Sequence, residues 1–403
     1  MNEFDVFGIV GDARQQTEIR YSAAIEALLE QVTPILTSEA ARGQTRRAAL
    51  RRLIRSLDQP MSAHQRQRML SLLGDAFAGA REHDRAAGCF EDALGLALDR
   101  DDREATAEIA FALGREHAAR QHFGEAVSAL EVCIVTLTAD DGAEADAPPA
   151  LLARVVDAML ALTTCEYVRG RFEAAERWLD RADALIPRLP DRLAAAGSAA
   201  ATRALLARAR CKLDAALRHA LVALDIAEQG HAAGLRWARA LVVEAALDQA
   251  ERLTGGAEGT AGRSLLALAR TYVDHPRVPR PHARRREVAM SLTDGVAYLA
   301  GVRYMRLAGE ANATERLTAL EHVIAHAERV HHQALLGLAL TALGDDLAAR
   351  NAQTPALRSY ELALNAIEGH DMAAIGLRAR RALLRHQEGH LDEGRLDEGR
   401  LHG

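Results

Sequence analysis

Apolar residues recur every three or four positions along most of this chain, which is the spacing of one buried face of an α-helix. The first segment with this spacing runs over about 18–33, and a second, which Thr45 can cap, runs over about 45–57. Pro34 and the stretch Thr37-Ser38-Glu39 are expected to break the first helix, because proline lacks a backbone N–H and its ring clashes with the preceding turn. The chain is therefore predicted to begin with two amphipathic helices.

A repeated spacing of small and large residues begins after residue 60. Each copy has a Gly twelve residues before an Ala, a larger residue four after that Ala, and another small residue seven after it. Small residues let two helices approach closely, and the large residue fills the gap between them. This regularity is typical of a helical-repeat protein. The copies are Gly74, Ala86, Phe90 and Ala93; Gly114, Ala126, Leu130 and Cys133; and Gly344, Ala356, Tyr360 and Ala363.

These units resemble tetratricopeptide repeats (TPRs), in which two antiparallel helices carry small and aromatic residues at such positions. A further match spans about 156–189, where Phe172 stands three residues before Ala175. The resemblance implies an all-α superhelix of about seven helix-turn-helix repeats, closed by a C-terminal capping helix over about 372–386. Residues 197–330 match the motif only loosely, so the sequence leaves their TPR geometry open.

The predicted organisation has five parts. An N-terminal helical segment (1–60) precedes regular TPR-like repeats (61–190), degenerate repeats (191–336), and a C-terminal repeat with the capping helix (337–388). Residues 389–403 repeat Leu-Asp-Glu-Gly-Arg and are predicted to be disordered. An acidic loop over 138–150 and a basic, proline-containing linker over 275–286 interrupt the helices, and their roles stay open.

The composition agrees with packed helices and narrows the functional classes. Of 403 residues, 49% are hydrophobic, only 4% are aromatic and 10 are Pro, and the abundant Ala and Leu favour helix formation. A net charge of -6 does not draw the whole protein to nucleic acid or to anionic lipid. There is no recognisable signal peptide, no apolar run that could span a membrane and no C-x-x-C pair, so a cytoplasmic bacterial protein is expected.

No catalytic, metal or cofactor site is predicted. The Gly-rich stretch 255–264 fails as a phosphate-binding loop, because Arg263 replaces the lysine and the outer glycines are one residue too far apart. His322 and His326 lie one helical turn apart, but no third ligand has a recognisable spacing. Since no nucleophile elbow is present either, the protein is predicted not to be an enzyme.

The TPR resemblance implies a partner-binding groove, because in that family the first helix of each repeat lines a concave surface that holds extended peptides or helices. Some TPR co-chaperones clamp a carboxylate with a Lys/Asn/Arg set, which is absent here. Peptide-pheromone receptors of the repeat class tend to hold the peptide backbone with groove Asn, and Asn is rare in this chain, which weakens that reading without excluding it. We therefore expect a protein or peptide segment of another kind. Carried over by motif position, the groove residues are Arg68, Ser71, Asp75, Glu108, Phe111, Arg115, Asp157, Leu160, Thr164, Tyr167, Thr341 and Asp345.

A second candidate surface is the arginine row of the second helix: Arg46, Arg47, Arg51, Arg52 and Arg55. It is interpreted either as a solvated face or as a dock for an acidic partner. No aromatic residue is interleaved, so stacking on single-stranded nucleic acid is not indicated, although nucleic acid is not excluded.

Two functions are carried forward. The leading hypothesis is a non-enzymatic protein- or peptide-binding scaffold. The alternative is a ligand- or peptide-responsive regulatory sensor, in signalling or transcription control, that acts through the arginine row. A homodimer through the irregular middle repeats is a further possibility.

Overall fold

A computed structural model describes residues 22–36, 43–138, 148–230, 232–253, 259–273 and 292–385. In these ranges the chain forms helices joined by short turns, and it forms no strand. The basic linker and the C-terminal tail predicted above lie outside the described residues, as does the acidic loop except for its two ends.

The described residues contain seventeen α-helices. Two N-terminal helices precede seven helix pairs, and one further helix follows them, so the predicted all-α TPR-like repeat fold is confirmed. The N-terminal helices are α1 (22–36) and α2 (Gly43–Ser56). The pairs are α3 (Ala63–Gly79) and α4 (His83–Asp99), α5 (Arg103–Ala119) and α6 (Phe123–Thr138), α7 (Pro149–Val168) and α8 (Phe172–Leu185), α9 (Leu193–Ala209) and α10 (Leu213–Glu228), α11 (Ala232–Arg252) and α12 (Thr260–Tyr272), α13 (Leu292–Ala308) and α14 (Ala313–Arg329), and α15 (Gln333–Ala348) and α16 (Gln353–Ile367). The last helix is α17 (377–385), and a 3₁₀ turn, Ile186–Arg188, follows α8.

The repeated glycines let the two helices of a pair touch. A Cβ atom added at Gly74 would lie 2.6 Å from the Phe90 ring, and one at Gly114 would lie 2.7 Å from Leu130 Cγ. Both distances are shorter than real Cβ contacts allow, so only glycine fits at this spacing. The larger residue of each repeat therefore packs directly on the glycine of the preceding helix, as the sequence pattern predicts.

Several turns between paired helices contain a residue in the left-handed conformation. Gln121 has φ +65° and Gly170 has φ +79°. The following amide then reaches back into the first helix, where His122 N–H donates to the His117 carbonyl at 2.8 Å. This is the Schellman arrangement, which satisfies the last carbonyls of a helix and lets the chain reverse within a few residues.

Helix α1 continues through Pro34 to residue 36, so the prediction that Pro34 breaks it is wrong, while Thr37-Ser38-Glu39 lie outside the described residues. Leu36 is buried and Ile35 packs against the same core. Full burial of such a side chain contributes about 1.5–3 kcal/mol, which offsets the backbone hydrogen bond that proline cannot make.

The chain forms two compact units, and the division falls within α7. Unit 1 is Met1–Ala158 and unit 2 is Met159–Gly403. The core of unit 1 joins the apolar faces of α1 to α6, with Leu29, Leu53 and Met69 fully buried. Unit 2 has several smaller cores, one around Leu241 and another around Leu320.

Candidate functional site

A cleft of about 550 Å³ lies in unit 1, between α3 and α5, the first helices of two successive repeats. Arg68, Ser71 and Asp75 reach it because their spacing of three and four residues puts them on one side of α3. Glu108 reaches it from α5, so four of the predicted groove residues line one cavity. The other lining residues are Thr33, His64, Gln67, Leu72, Phe90, Asp102, Glu104, Ala105, Ile109 and Ala112.

Ion pairs orient two of these side chains. Arg68 Nη1 lies 2.8 Å from Glu26 Oε2 of α1, and Glu108 Oε1 lies 2.6 Å from Arg154 Nη1 of α7. Slight burial raises the pKa of Glu26, but hydrogen bonds from Gln65 and Arg68 outweigh it, so the pKa is lowered overall. These ion pairs therefore orient the side chains of Arg68 and Glu108 before a ligand binds.

Asp75 is a cleft acid whose surroundings disfavour its charged form. Its side chain reaches solvent, yet the surrounding helices exclude enough water to raise its pKa, and the charges of Glu108 and Glu116 raise it further. Arg115 opposes this effect, and it does the same at Asp157, whose pKa burial also raises. A positive group placed beside Asp75 would therefore be stabilised by the local potential.

Phe111 is half-buried on α5, and the guanidinium of Arg115 lies 6.0 Å from the centre of its ring. Both of these predicted groove residues thus stand next to the acidic positions of unit 1, although neither lines the cleft itself.

The predicted groove residues of unit 2 are placed differently. Leu160 and Thr341 are buried, and the Thr341 hydroxyl donates to the Gly337 carbonyl of its own helix, so neither offers surface to a ligand. Thr164 is exposed, with its hydroxyl donating to the Leu160 carbonyl at 3.0 Å. Motif position assigned these residues to the groove, but packing by neighbouring helices decides which of them are accessible.

The remaining two predicted residues of unit 2, Tyr167 and Asp345, are partly buried. Tyr167 is half-buried, desolvation raises its pKa, and its ring centre lies 5.8 Å from that of Phe172. Asp345 accepts a hydrogen bond from the Tyr360 hydroxyl at 2.9 Å and pairs with Arg378 at 2.8 Å.

A charged network across the first helices of unit 2 was missed by motif reasoning. Arg303 of α13 is only 7% exposed and lies 3.0, 2.7 and 2.6 Å from Glu244, Asp248 and Glu251 of α11. Arg208 of α9 pairs with Glu244 at 2.7 Å and with Asp248 at 2.8 Å. The available signal was the spacing of the three acids, which puts them on one face of α11.

The arginines overcome the effect of burial on these acids. Burial alone would raise the pKa of Asp248, but Arg208 and Arg303 hold it far below its usual range. The pKa of Arg303 is correspondingly raised by the three carboxylates, against its own burial. The network is thus a set of mutually compensated charges that stays ionised at neutral pH.

The two histidines considered as metal ligands do not form a metal site. His326 is buried, and the His322 ring packs 6.5 Å from that of Tyr298. In the described ranges, no group of three or more His, Cys, Asp or Glu side chains could hold a metal ion. Among the same residues, no helix is both long and apolar enough to cross a membrane.

The arginine row of α2 is mostly accessible. Arg47, Arg51 and Arg55 are exposed, and the exposed Arg52 donates to Gln31 of α1 at 3.0 Å. Arg46 is half-buried and donates to the Leu36 carbonyl at 2.7 Å. Two members of the row therefore tie α2 to α1, while the others face solvent.

The seven helix pairs place this structure in the class of TPR-like helical-repeat proteins. No protein-family model and no curated protein matches the sequence. Among solved structures, the apo form of the quorum sensor NprR from B. thuringiensis is 10% identical, with a TM-score of 0.57 over 91% of this chain and 94% of that chain. The apo form of RapI is 9% identical, with a TM-score of 0.57 over 80% of each chain.

NprR in complex with its cognate peptide NprX is also similar. It is 10% identical, with a TM-score of 0.52 over 91% of this chain and 94% of that chain. At such identities the similarity concerns the fold.

Proposed function

We propose that the protein is a non-enzymatic, cytoplasmic scaffold that binds a peptide or protein segment in the cleft of unit 1. The observation that carries this proposal is the open cleft between the inner helices α3 and α5, whose volume of about 550 Å³ lies within the range of known ligand sites, about 300–1,000 Å³. A protein of the same fold, NprR, has been solved with its cognate peptide, which supports a peptide as the ligand class.

The lining of the cleft suits a segment with both an apolar and a basic side chain. Leu72 and Ala112, which are both partly exposed, offer apolar surface, and burial of an apolar anchor there would supply most of the affinity. Asp75 and Glu108 favour a lysine or arginine, which would set the orientation of the segment. Arg68 then donates to a carboxylate of the segment, because its own pair with Glu26 is partly exposed.

Selection from a displayed peptide library, followed by calorimetry on the selected peptides, tests the proposal. Peptides selected on the intact protein should carry a basic residue and should bind the Asp75→Asn variant at least about tenfold more weakly, which is 1.4 kcal/mol. The exposed Asp92 of α4 lies outside the cleft, so Asp92→Asn is the matched control and should leave binding unchanged. Selected peptides that bind Asp75→Asn and Asp92→Asn equally well would refute this location.

The second candidate function is a ligand-responsive regulatory sensor. Two observations favour it: the exposed arginines of α2, and the fold shared with a protein described as a quorum sensor. A sensor of this kind would pass its signal through α2 to an acidic protein surface or to nucleic acid.

DNA binding at low salt tests the nucleic-acid form of this function. Arg51→Ala/Arg52→Ala should weaken binding and reduce the salt dependence by about two phosphate contacts. Arg177→Ala/Arg218→Ala, which removes two exposed arginines of other helices, serves as the control. Absence of DNA binding at low salt would leave only a protein partner for α2.

A further inference from the structure

The C-terminal segment, residues 369–385, packs across the first helices of unit 2. It consists of a turn and α17. Asp371 pairs with Arg169 and Ala374 N–H donates to the Val168 carbonyl at 3.0 Å, both at the end of α7. Arg381 of α17 donates to the Ala209 carbonyl at the end of α9, a contact between residues 172 positions apart. The segment thus contacts repeats far from its own place in the chain.

Arg378 links the segment to the acidic face of α11. Its Nε lies 2.8 Å from Asp345 Oδ2 of α15, and its Nη2 lies 3.5 Å from Glu251 Oε2 of α11. Ala379, on the same short helix, is fully buried against α15 and α16. The segment therefore docks through Arg378, Arg381 and Asp371, together with a small apolar face that includes Met372 and Ala379.

Three arginines that differ in solvent exposure pair with Glu251 on the acidic face of α11. At Glu251, the side chains of Arg303 and Arg306 are 7% and 14% exposed, whereas that of Arg378 is 34% exposed. The first two belong to α13 and are built into the repeat stack. Arg378 is the outermost cation, so it can leave Glu251 and Asp345 without opening the stack beneath it.

The turn before α17 provides a hinge. Gly369 has φ +80° and Asp371 has φ +51°, two left-handed residues within three positions. A Cβ atom added at Gly369 would meet nothing within 4 Å, so this part of the turn is not held by packing. The chain can therefore change direction at Gly369, and movement of α17 there must also withdraw the buried side chain of Met372.

We propose that the acidic inner face of unit 2, formed by Glu251 and Asp345, is a docking surface for a short segment that presents an arginine. Residues 369–385 are its resident occupant, and a partner segment of the same chemistry displaces them. This surface is separate from the cleft of unit 1, so the proposal stands independently of the function proposed for that cleft.

Hydrogen exchange on the full chain tests whether the occupant can leave. Arg378→Glu puts a negative charge against Glu251 and Asp345, and exchange of backbone amides over 372–385 should accelerate at least tenfold. Arg380→Glu is the matched control, because Arg380 lies two residues away on α17 and is exposed. Exchange in α3 to α6 should stay unchanged in both variants.

A peptide with the sequence of residues 369–385, carrying a fluorophore, tests the docking surface itself. The peptide should bind full-length Arg378→Glu at least tenfold more tightly than the native protein, in which the surface is occupied. The same peptide with Arg378→Ala should lose that binding. Binding to the Arg380→Glu protein should match the native level.

Three results would overturn the proposal. Equal exchange in the Arg378→Glu and Arg380→Glu proteins would mean that apolar packing alone fixes α17. Loss of protection throughout unit 2 in Arg378→Glu would make Arg378 part of the framework of the unit, not of a displaceable occupant. Failure of the native peptide to bind Arg378→Glu would show that the acidic face accepts no arginine-bearing segment from outside.

Discussion

Replacement of Arg303 by methionine should destabilise unit 2 by about 3 kcal/mol. Methionine keeps most of the volume and the unbranched shape of arginine, so the change removes the charge and little packing. Removing one partner of a buried ion pair ordinarily destabilises by about 3–5 kcal/mol, because it leaves a buried charge without compensation.

The destabilisation expected for Arg303→Met lies at the lower end of that range. Its three carboxylates each keep another arginine: Arg208 stays beside Glu244 and Asp248, and Arg306 stays beside Glu251. None is left entirely without a partner. Addition of Asp248→Asn to Arg303→Met should therefore recover part of the loss, because one under-compensated carboxylate is removed.

Urea unfolding followed by circular dichroism measures the effect, and hydrogen exchange over α11 and α13 locates it. With a slope of up to about 3 kcal/mol per M, a loss of about 3 kcal/mol lowers the midpoint by about 1 M or more. Arg236→Met is the control, because Arg236 also joins α11 to α13, through Asp294, but is 53% exposed. The Arg236→Met variant should lose no more than about 1 kcal/mol of its free energy of unfolding.

The destabilisation caused by Arg303→Met should be larger at neutral pH than at acidic pH. The arginines lower the pKa of Glu251 and Asp248 in the folded protein, against the effect of burial. A lowered folded pKa gives stability that is present above the unfolded pKa, about 4, and is lost as the pH falls through the folded pKa. The difference between Arg303→Met and the native protein should therefore be largest near pH 7 and should shrink below pH 4. If Arg303→Met lowers the free energy of unfolding at pH 7 no more than Arg236→Met does, the buried ion pairs of Arg303 do not stabilise unit 2 and the reasoning is refuted.

Three further outcomes follow from the repeat geometry and the thiols. Gly114→Ala should destabilise by about 1–3 kcal/mol in thermal unfolding, because its Cβ would overlap a side chain of α6, whereas Gly124→Ala, with nothing within 4 Å, should stabilise by up to about 1 kcal/mol. Gln121→Gly should stabilise by about 1 kcal/mol at its left-handed turn position (φ +65°), and Gln121→Ala, which keeps the strain, should give no such gain. A thiol reagent at pH 8 should modify exposed Cys211 on the order of a hundredfold faster than Cys133, which is buried and has its pKa raised to about 11 by that burial; equal rates would mean that α6 opens readily.

The repeat fold could be predicted because its determinants are local. Gly74 and Phe90 stand sixteen residues apart and meet within one helix pair, so the contact appears as a fixed spacing in the sequence. The cleft residues of α3 could be predicted for the same reason, since a spacing of three and four puts Arg68, Ser71 and Asp75 on one side of a helix.

Accessibility in unit 2 could not be predicted in this way. Leu160 and Thr341 hold positions that line the groove by motif, yet both are buried. Motif position fixes which side of a helix a residue occupies within its own repeat. Whether that side is covered depends on helices of other repeats, and the spacing pattern contains no information about how those helices pack.

The sequence by itself determined the all-helical class, the number of helix pairs and the two N-terminal helices, because helix formation and pairing depend on residues close together in the chain. Only the tertiary structure decided that Arg303 would meet Glu244, 59 residues away, and that Arg169 would meet Asp371, 202 residues away. The spacing of Glu244, Asp248 and Glu251 puts three acids on one face of α11, but electrostatic contacts act through space, so the arginines that pair with them and the segment that occupies the face are decided only by the tertiary structure.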